Sequence, residues 1–289
     1  QGGQMLLANR LIRHYSSSIR SSDEIRRAFV NFCESEGHVH VPSSKVVRSQ
    51  SDNFDRARLF VNSGIDQFED ALSGEEPADR WPSPIVTHQK CIRMNLLDSS
   101  RFEYGNDLRE LSFFEMLGNF AFNNAYGKEA ACMLAWTFLT EVIGLPKDRL
   151  YVTYFGGEGF AWADIDTREI WRSMGLDSSR ILPFEGANFL ETGSEDRSGP
   201  CGPCTEIHYD TVEGRSGASK LLNRDESIVP LWNIAFTNSM RDEQGRLNAL
   251  DTMHVDTGMI LERLASIVQN VPLFETDLFR PIIEVIEKV

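Results

Sequence analysis

Apolar positions along this chain fall into short runs, with a helical period in a few places only. Ile25, Ala28, Phe29 and Phe32 recur every three to four residues, which predicts a helix over 23–36, with Asp23 as cap and Gly37 as stop. A weak alternation around Pro42 predicts an edge strand over 39–47, and Leu59, Phe60 and Val61 a short strand over 58–62. Residues 77–84, between two prolines, read as a loop. Residues 89–93 and 113–122 are apolar, aromatic and branched, and read as two strands of a hairpin. A well-marked helix follows over 128–143, with Gly144 and Pro146 as stop signals. Further strands are predicted over 150–155, 206–209, 231–238 and 253–257, helices over 166–174, 258–269 and 278–289, and a loop over 187–203. Strands with helices interspersed irregularly imply an α+β fold on an antiparallel sheet, not repeating β-α units.

The hairpin organises the rest. Its connection, residues 95–110, is rich in Asp, Ser, Gly and Asn. Loops of that length are usually functional. Arg93 stands at the end of the first strand, among Cys91, Ile92 and Met94, and Glu115 stands on the second. An arginine there either meets an anion or snorkels to water.

The composition narrows the classes. A 41% apolar content over 289 residues is enough for a large core in one or two domains. A net charge of −14 argues against broad electrostatic binding of nucleic acid; such a partner needs a local basic groove. No apolar run has the length of a membrane span. Five cysteines, an odd number without a small disulfide framework, fit a reducing compartment.

The first 22 residues differ from the remainder. They carry Arg10, Arg13 and Arg20, four serines between 16 and 21, and no acidic residue. Arg-rich, Ser-rich and acid-free is the signature of an organellar transit peptide, with a disordered cytosolic tail as the alternative. The residues before Met5 read as an upstream translated remnant. Without the three arginines, 26 basic and 43 acidic residues remain, a net −17. The chain thus divides into a leader, 1–22, and a body, 23–289.

Beside the hairpin, three stretches could carry chemistry. Cys201 and Cys204 form a C-x-x-C inside a Gly/Pro run, with His208 close by. It reads as a redox pair, half a zinc site or a rigid turn; no second pair exists, and no metal site is assigned. Asn233, after Trp232, is either a satisfied core amide or a ligand contact. Asp256 is placed where a strand gives way to a helix, so it is either a cap or a ligand carboxylate pointing into a cleft. Arg263 falls at the margin of the following apolar stripe (Ile260, Leu261, Leu264, Ile267, Val268), as a half-buried cation aimed at an anion or a solvated helix residue. No G-x-G-x-x-G or P-loop is present, so a nucleotide site is of another kind.

Together these stretches resemble the class II aminoacyl-tRNA synthetases, and among them the alanyl-tRNA synthetases. The resemblance runs from about Ile25 to Val289. It rests on Phe-Phe-Glu-Met-Leu-Gly-Asn at 113–119, Arg-Leu-Tyr-Val-Thr-Tyr-Phe at 149–155, Gly-Pro-Cys-Gly-Pro-Cys-Thr-Glu-Ile-His-Tyr-Asp at 199–210, Trp232-Asn233, and Val-Asp-Thr-Gly-Met at 255–259 with Leu-Glu-Arg at 261–263. The resemblance implies an antiparallel sheet flanked by helices. It also implies ATP-dependent activation of alanine with Mg2+, followed by transfer to tRNA(Ala). Arg93 is then expected at the α-phosphate, Arg263 at the γ-phosphate, and Asp256 and Asn233 at alanine. The ATP-contacting set is expected to comprise Arg93, Leu111, Leu190, Leu231, Trp232, Asn233, Ile260 and Arg263. With the leader, the resemblance implies a version destined for the mitochondrial matrix; the alternative is the cytoplasm.

The chain also departs from the family's pattern. After Arg93 it lacks the usual Ala-Gly-Gly; Leu111 stands for a histidine, Leu190 for a tryptophan and Ile260 for a glycine. These replacements fall at nucleotide contacts, while the alanine contacts are kept. The family's helical tRNA-recognition, editing and carboxy-terminal domains have no counterpart in these 289 residues. Two readings follow: a ligase core, or a catalytically impaired paralogue acting as a binding or scaffold module.

Overall fold

A computed structural model of the chain describes residues 19–47, 59–73, 80–93, 111–191, 198–215, 217–220, 222 and 224–289. Most of the leader and residues 94–110 of the hairpin connection lie outside the described residues, including the departure that follows Arg93. In chain order the elements are α1 (Ser22–Ser35), β1 (Val39–His40), a 3-10 turn (Gly64–Phe68) running into α2 (Glu69–Ser73), β2 (Ile85–Ile92), β3 (Phe113–Ala121), α3 (Lys128–Thr137) and β4 (Leu150–Phe155). There follow α4 (Ile165–Ser173), β5 (Ile181–Phe184), β6 (Phe189–Glu191), β7 (Gly199–Asp210), β8 (Ile228–Arg241), β9 (Leu247–Ile260), α5 (Leu261–Gln269) and α6 (Arg280–Ile286).

The strands make one sheet in the order β1-β2-β3-β9-β8-β7-β4-β5, with β6 paired to β7. Only β1/β2 and β4/β5 are parallel among the described pairings. The sheet is therefore mostly antiparallel and flanked by helices, as the sequence implies. The long central strands β7, β8 and β9 bring segments distant in sequence side by side.

One face of the sheet carries the main core. Helix α1 buries Ile25, Phe29 and Phe32 against it. Phe29, Phe138 and Trp232 meet edge to face, with centroids 5.3 to 5.8 Å apart. Such pairs contribute roughly 0.5–1.5 kcal/mol each beyond area burial. Helix α5 buries Leu261, Leu264 and Ala265 in the same cluster. The Trp171 indole of α4 donates to the Thr205 hydroxyl at 2.9 Å, which satisfies the polar edge of this ring inside the core.

Several sequence expectations shift. Helix α1 is capped by Ser21, not Asp23: the Ser21 hydroxyl accepts from the Glu24 N–H, and Glu24 reaches back to the Ser21 N–H. Ile19 packs against the core, so the folded body begins inside the segment set aside as leader. Only Val39–His40 of the expected edge strand pairs along its length, with Val47 making an isolated bridge to Phe60. The long helix at 128–143 ends in one π turn, Phe138–Val142.

Two shifts bear on function. The expected loop over 187–203 holds β6 and the start of β7. Its Gly/Pro run is strand, because a Cβ on Gly202 would overlap the Phe236 carbonyl oxygen, and only glycine lets these backbones close. Cys201 and Cys204 are thus buried, free thiols on either side of a register shift, not a turn. Among the described residues no group of three or more side chains could hold a metal ion. Strand β9 continues to Ile260 and α5 starts at Leu261, so Asp256 lies inside a strand and caps no helix.

Candidate active site

The face of the sheet opposite α1 carries a cleft of about 470 Å³. Cross-strand register decides what lines it. Glu206 pairs with Asn233, Asn233 with Gly258, and Met116 with Ile260, so residues from β7, β8, β9 and β3 share one surface. The turn at Gly64–Phe68 and helix α5 supply the remaining walls, through Asp66 and Arg263.

Eight of the nine residues picked from sequence border this cleft: Arg93, Leu190, Leu231, Trp232, Asn233, Asp256, Ile260 and Arg263. Trp232 contributes little side chain to it, since its indole packs with Phe29 and Phe138 in the core. Leu111 is not in the lining. It is buried with Val61, Cys91, Phe114 and Ile260 in a satellite cluster. Glu115, the other charge singled out on the hairpin, points elsewhere. Its carboxylate accepts from Arg26 Nε at 2.5 Å and pairs with His88 Nδ1 at 2.9 Å. Burial pushes Glu115 up, but His88 and Arg26 prevail and hold it below the usual carboxylate range.

Both arginines are fixed by backbone oxygens. Arg93 donates to the Asn62 carbonyl at 3.1 Å and lies over the Phe114 ring, 5.1 Å from its centroid. Arg263 donates to the Pro230 carbonyl at 2.9 Å. A guanidinium carries five N–H donors in a fixed fork, the geometry that suits a phosphate or carboxylate. Arg263 is also set by its neighbour. Glu262 is buried and accepts the Glu115 N–H through both oxygens, at 3.0 and 3.1 Å, which ties α5 to β3.

The polar end of the cleft holds Asn233, Glu206 and Asp256. The Asn233 amide donates to Glu206 Oε1 at 3.3 Å and to the Cys204 sulfur at 3.6 Å. This orients the Asn233 oxygen away from both. His208, fully buried, holds Glu206 Oε2 at 3.1 Å. Burial pushes Glu206 up, but His208, Asn233 and the charge of Arg263 outweigh it and keep the carboxyl below its ordinary range. Asp256 differs: it makes no hydrogen bond or ion pair among the described residues, and burial together with the charge of Asp66 pushes it up to about 7. A cation placed beside Asp256 would reverse that shift.

Sequence reasoning missed Asp66, Met116 and Glu206. Glu206 opens the predicted strand 206–209, but the register that sets it beside Asn233 was not readable. Met116 lies over bare backbone, where a Cβ on Gly258 would come 2.7 Å from its sulfur.

Over residues 24–289 the chain matches the family model described as tRNA synthetases class II (A), and it belongs to that family. Its similar relatives are alanine–tRNA ligases. It is 43% identical over 286 residues to the mitochondrial alanine–tRNA ligase of Caenorhabditis elegans, covering 98% of this chain and 35% of that protein. It is 40% identical to the alanine–tRNA ligase of Schizosaccharomyces pombe (93% of this chain, 28% of that protein) and 42% identical to the mitochondrial enzyme of Homo sapiens (91% and 26%). The chain thus spans about a quarter to a third of the length of these relatives.

Proposed function

We propose that this chain is the catalytic core of an alanine–tRNA ligase, which joins alanine to ATP as alanyl-adenylate and passes alanine to tRNA(Ala). One observation carries the reading: Arg93, Asn233, Asp256 and Arg263, from four separate segments, converge on one cleft in a chain about 40% identical to alanine–tRNA ligases.

The cleft fits that chemistry. Attack of the alanine carboxylate on the α-phosphate builds negative charge, which cations fixed in advance stabilise. Arg93 and Arg263, each anchored by a carbonyl, supply them, with Arg93 at the α-phosphate and Arg263 at the γ-phosphate. Asp256 receives the alanine ammonium, and the Asn233 oxygen, oriented by Glu206, accepts from it. Mg2+ would neutralise the phosphates. It needs only one or two protein carboxylates when phosphates complete its shell, and the ionised Glu206 in this lining suits it. Leu190 and Ile260 narrow the nucleotide side. A methyl group offers little binding energy, so glycine and serine are weakly discriminated.

Calorimetry with alanine tests the pocket. Asp256→Ala is expected to lose about 2–5 kcal/mol of binding; equal binding by parent and variant would refute it.

The chain is assigned to mitochondria. The acid-free Arg/Ser leader supports this, and so do mitochondrial relatives, although a cytoplasmic relative from Dictyostelium discoideum is 42% identical. A reporter fused to residues 1–30 should enter mitochondria; a cytosolic reporter would refute the assignment. Among the described residues no helix is long and apolar enough to cross a membrane.

A further inference from the structure

Behind the polar end of the cleft stands a buried imidazole that the chemistry above does not use. His208 follows Glu206 by two residues on β7, so both side chains leave the same face of that strand. Glu206 lines the cleft and His208 does not. Tyr151 of β4 and Pro230 of β8 flank His208 in register, and its side chain is fully buried. Pro230 is also the residue whose carbonyl accepts from Arg263.

The His208 ring makes one hydrogen bond among the described residues. Nε2 lies 3.1 Å from Glu206 Oε2, and Nδ1 is buried without a partner among them. An ionised carboxylate only accepts, so Nε2 carries the proton of this bond. A buried ring nitrogen left without a bond costs free energy, which makes an imidazole a poor choice for packing alone. The bond it does make goes to the carboxylate whose other oxygen takes the Asn233 amide at 3.3 Å. His208, Glu206 and Asn233 thus stand in a line in which each group fixes the next. Burial pushes the Glu206 carboxyl up, and the His208 bond is foremost among the influences that bring it below its ordinary range.

We infer that His208 is a positioning residue for the amino acid: through Glu206 it holds the Asn233 carbonyl oxygen toward the α-ammonium, a role that rests on reading the cleft as an alanine site. Without the Nε2–H donor, Glu206 keeps its burial but loses its foremost stabilising bond, and the carboxyl is free to rotate or to take up a proton. A protonated Glu206 donates to Asn233 instead of accepting from it. The Asn233 amide then turns over and presents N–H groups to an ammonium that itself has only donors. His208 touches neither alanine nor ATP in this role.

The test is calorimetric titration of L-alanine into the parent, His208→Gln and His208→Met. The two replacements have similar length and volume, but only Gln carries an N–H donor for Glu206. His208→Met should bind alanine about tenfold more weakly, the low end of what removal of such an outer partner costs. His208→Gln should recover most of that loss. In a Glu206→Ala background the Gln and Met replacements should bind alanine alike, because the group they act through is gone. Nitrogen NMR of the parent, which needs no variant to fold, should show a proton on His208 Nε2 and a ring signal that moves when alanine saturates the site. Equal affinities of the folded Gln and Met variants, a difference between them that persists with Glu206→Ala, or an Nε2 that carries no proton or ignores alanine would overturn the inference. If that happens while Asp256→Ala loses alanine binding, the alanine site itself stands. If Asp256→Ala binds as the parent does, or the parent binds no alanine, both fall.

Discussion

Asn233 donates its amide to Glu206 Oε1 at 3.3 Å, and the two residues are cross-strand partners on β8 and β7. An asparagine amide can present either end to a ligand; this bond removes the choice and leaves the carbonyl oxygen for a donor such as an ammonium. Glu206→Ala should weaken alanine binding by about 1.5–3 kcal/mol, the range for a hydrogen bond to a charged group. Glu206→Gln should recover part of that only if its own amide presents oxygen to Asn233. Alanine affinities of the two variants, measured side by side, check this.

Leu111 stands where the family carries a histidine, yet it is 8% exposed among Val61, Cys91 and Phe114. Leu111→His would bury an imidazole in apolar surroundings, at a cost of about 1–3 kcal/mol without new partners. Chemical denaturation should report that loss. The substitution should not by itself improve nucleotide binding, because position 111 does not line the cleft.

Glu262 yields a pH prediction. Burial, reinforced by the neighbouring Glu115 charge, pushes its carboxyl up to about 7 from an ordinary value of 4.5. The folded chain therefore holds this proton more tightly than the unfolded chain. Stability from this group is fullest below pH 4.5, declines as pH rises from there to about 7, and stays low above. Glu262→Gln should gain up to about 3 kcal/mol over the parent at pH 8 and nothing near pH 4. Equal unfolding free energies of parent and variant at pH 8 would contradict this.

Gly202 is the position where a single methyl should matter most for the fold. Its Cβ would strike the Phe236 carbonyl, a backbone atom that cannot swing aside. Gly202→Ala should destabilise by on the order of 4 kcal/mol or prevent folding. Ala-for-Gly at position 214, with open space around it, is strained only by its positive φ of 68° and should cost about 1 kcal/mol.

Much of the fold was legible because its elements carry local signals. The stripe of α1, the stop at Gly144 and the alternation of β4 each announce themselves within ten residues or so. The misplaced boundaries have one cause: β7 and β9 are held by neighbouring strands, not by their own propensity. Gly-Pro-Cys-Gly-Pro reads as a turn in isolation and is strand because β8 lies against it. Asp-Thr-Gly-Met-Ile reads as a helix start and is strand because β3 and β8 pair with it on both sides. Arg93, Asn233 and Asp256 stood out as charge or amide on apolar strands and Arg263 at the margin of a helical stripe, and the family resemblance, not these local signals, singled them out as ligand contacts. Asp66 and Glu206 could not be picked out, because their relevance depends on register and on the seating of a turn.

The central claim is that this cleft activates alanine, and alanine-dependent ATP–pyrophosphate exchange tests it most directly. The parent should exchange with alanine, more slowly than about 1 s⁻¹, the low end of ordinary enzymatic turnover, because Ile260 and Leu190 occupy the nucleotide side of the lining. Asp256→Ala and Arg93→Ala should abolish the exchange. Ile260→Gly with Leu190→Trp should raise it, although emptying the Ile260 site costs about 2–5 kcal/mol of stability. Absence of alanine-dependent exchange in both the parent and the Ile260→Gly/Leu190→Trp variant, each folded, would contradict the account.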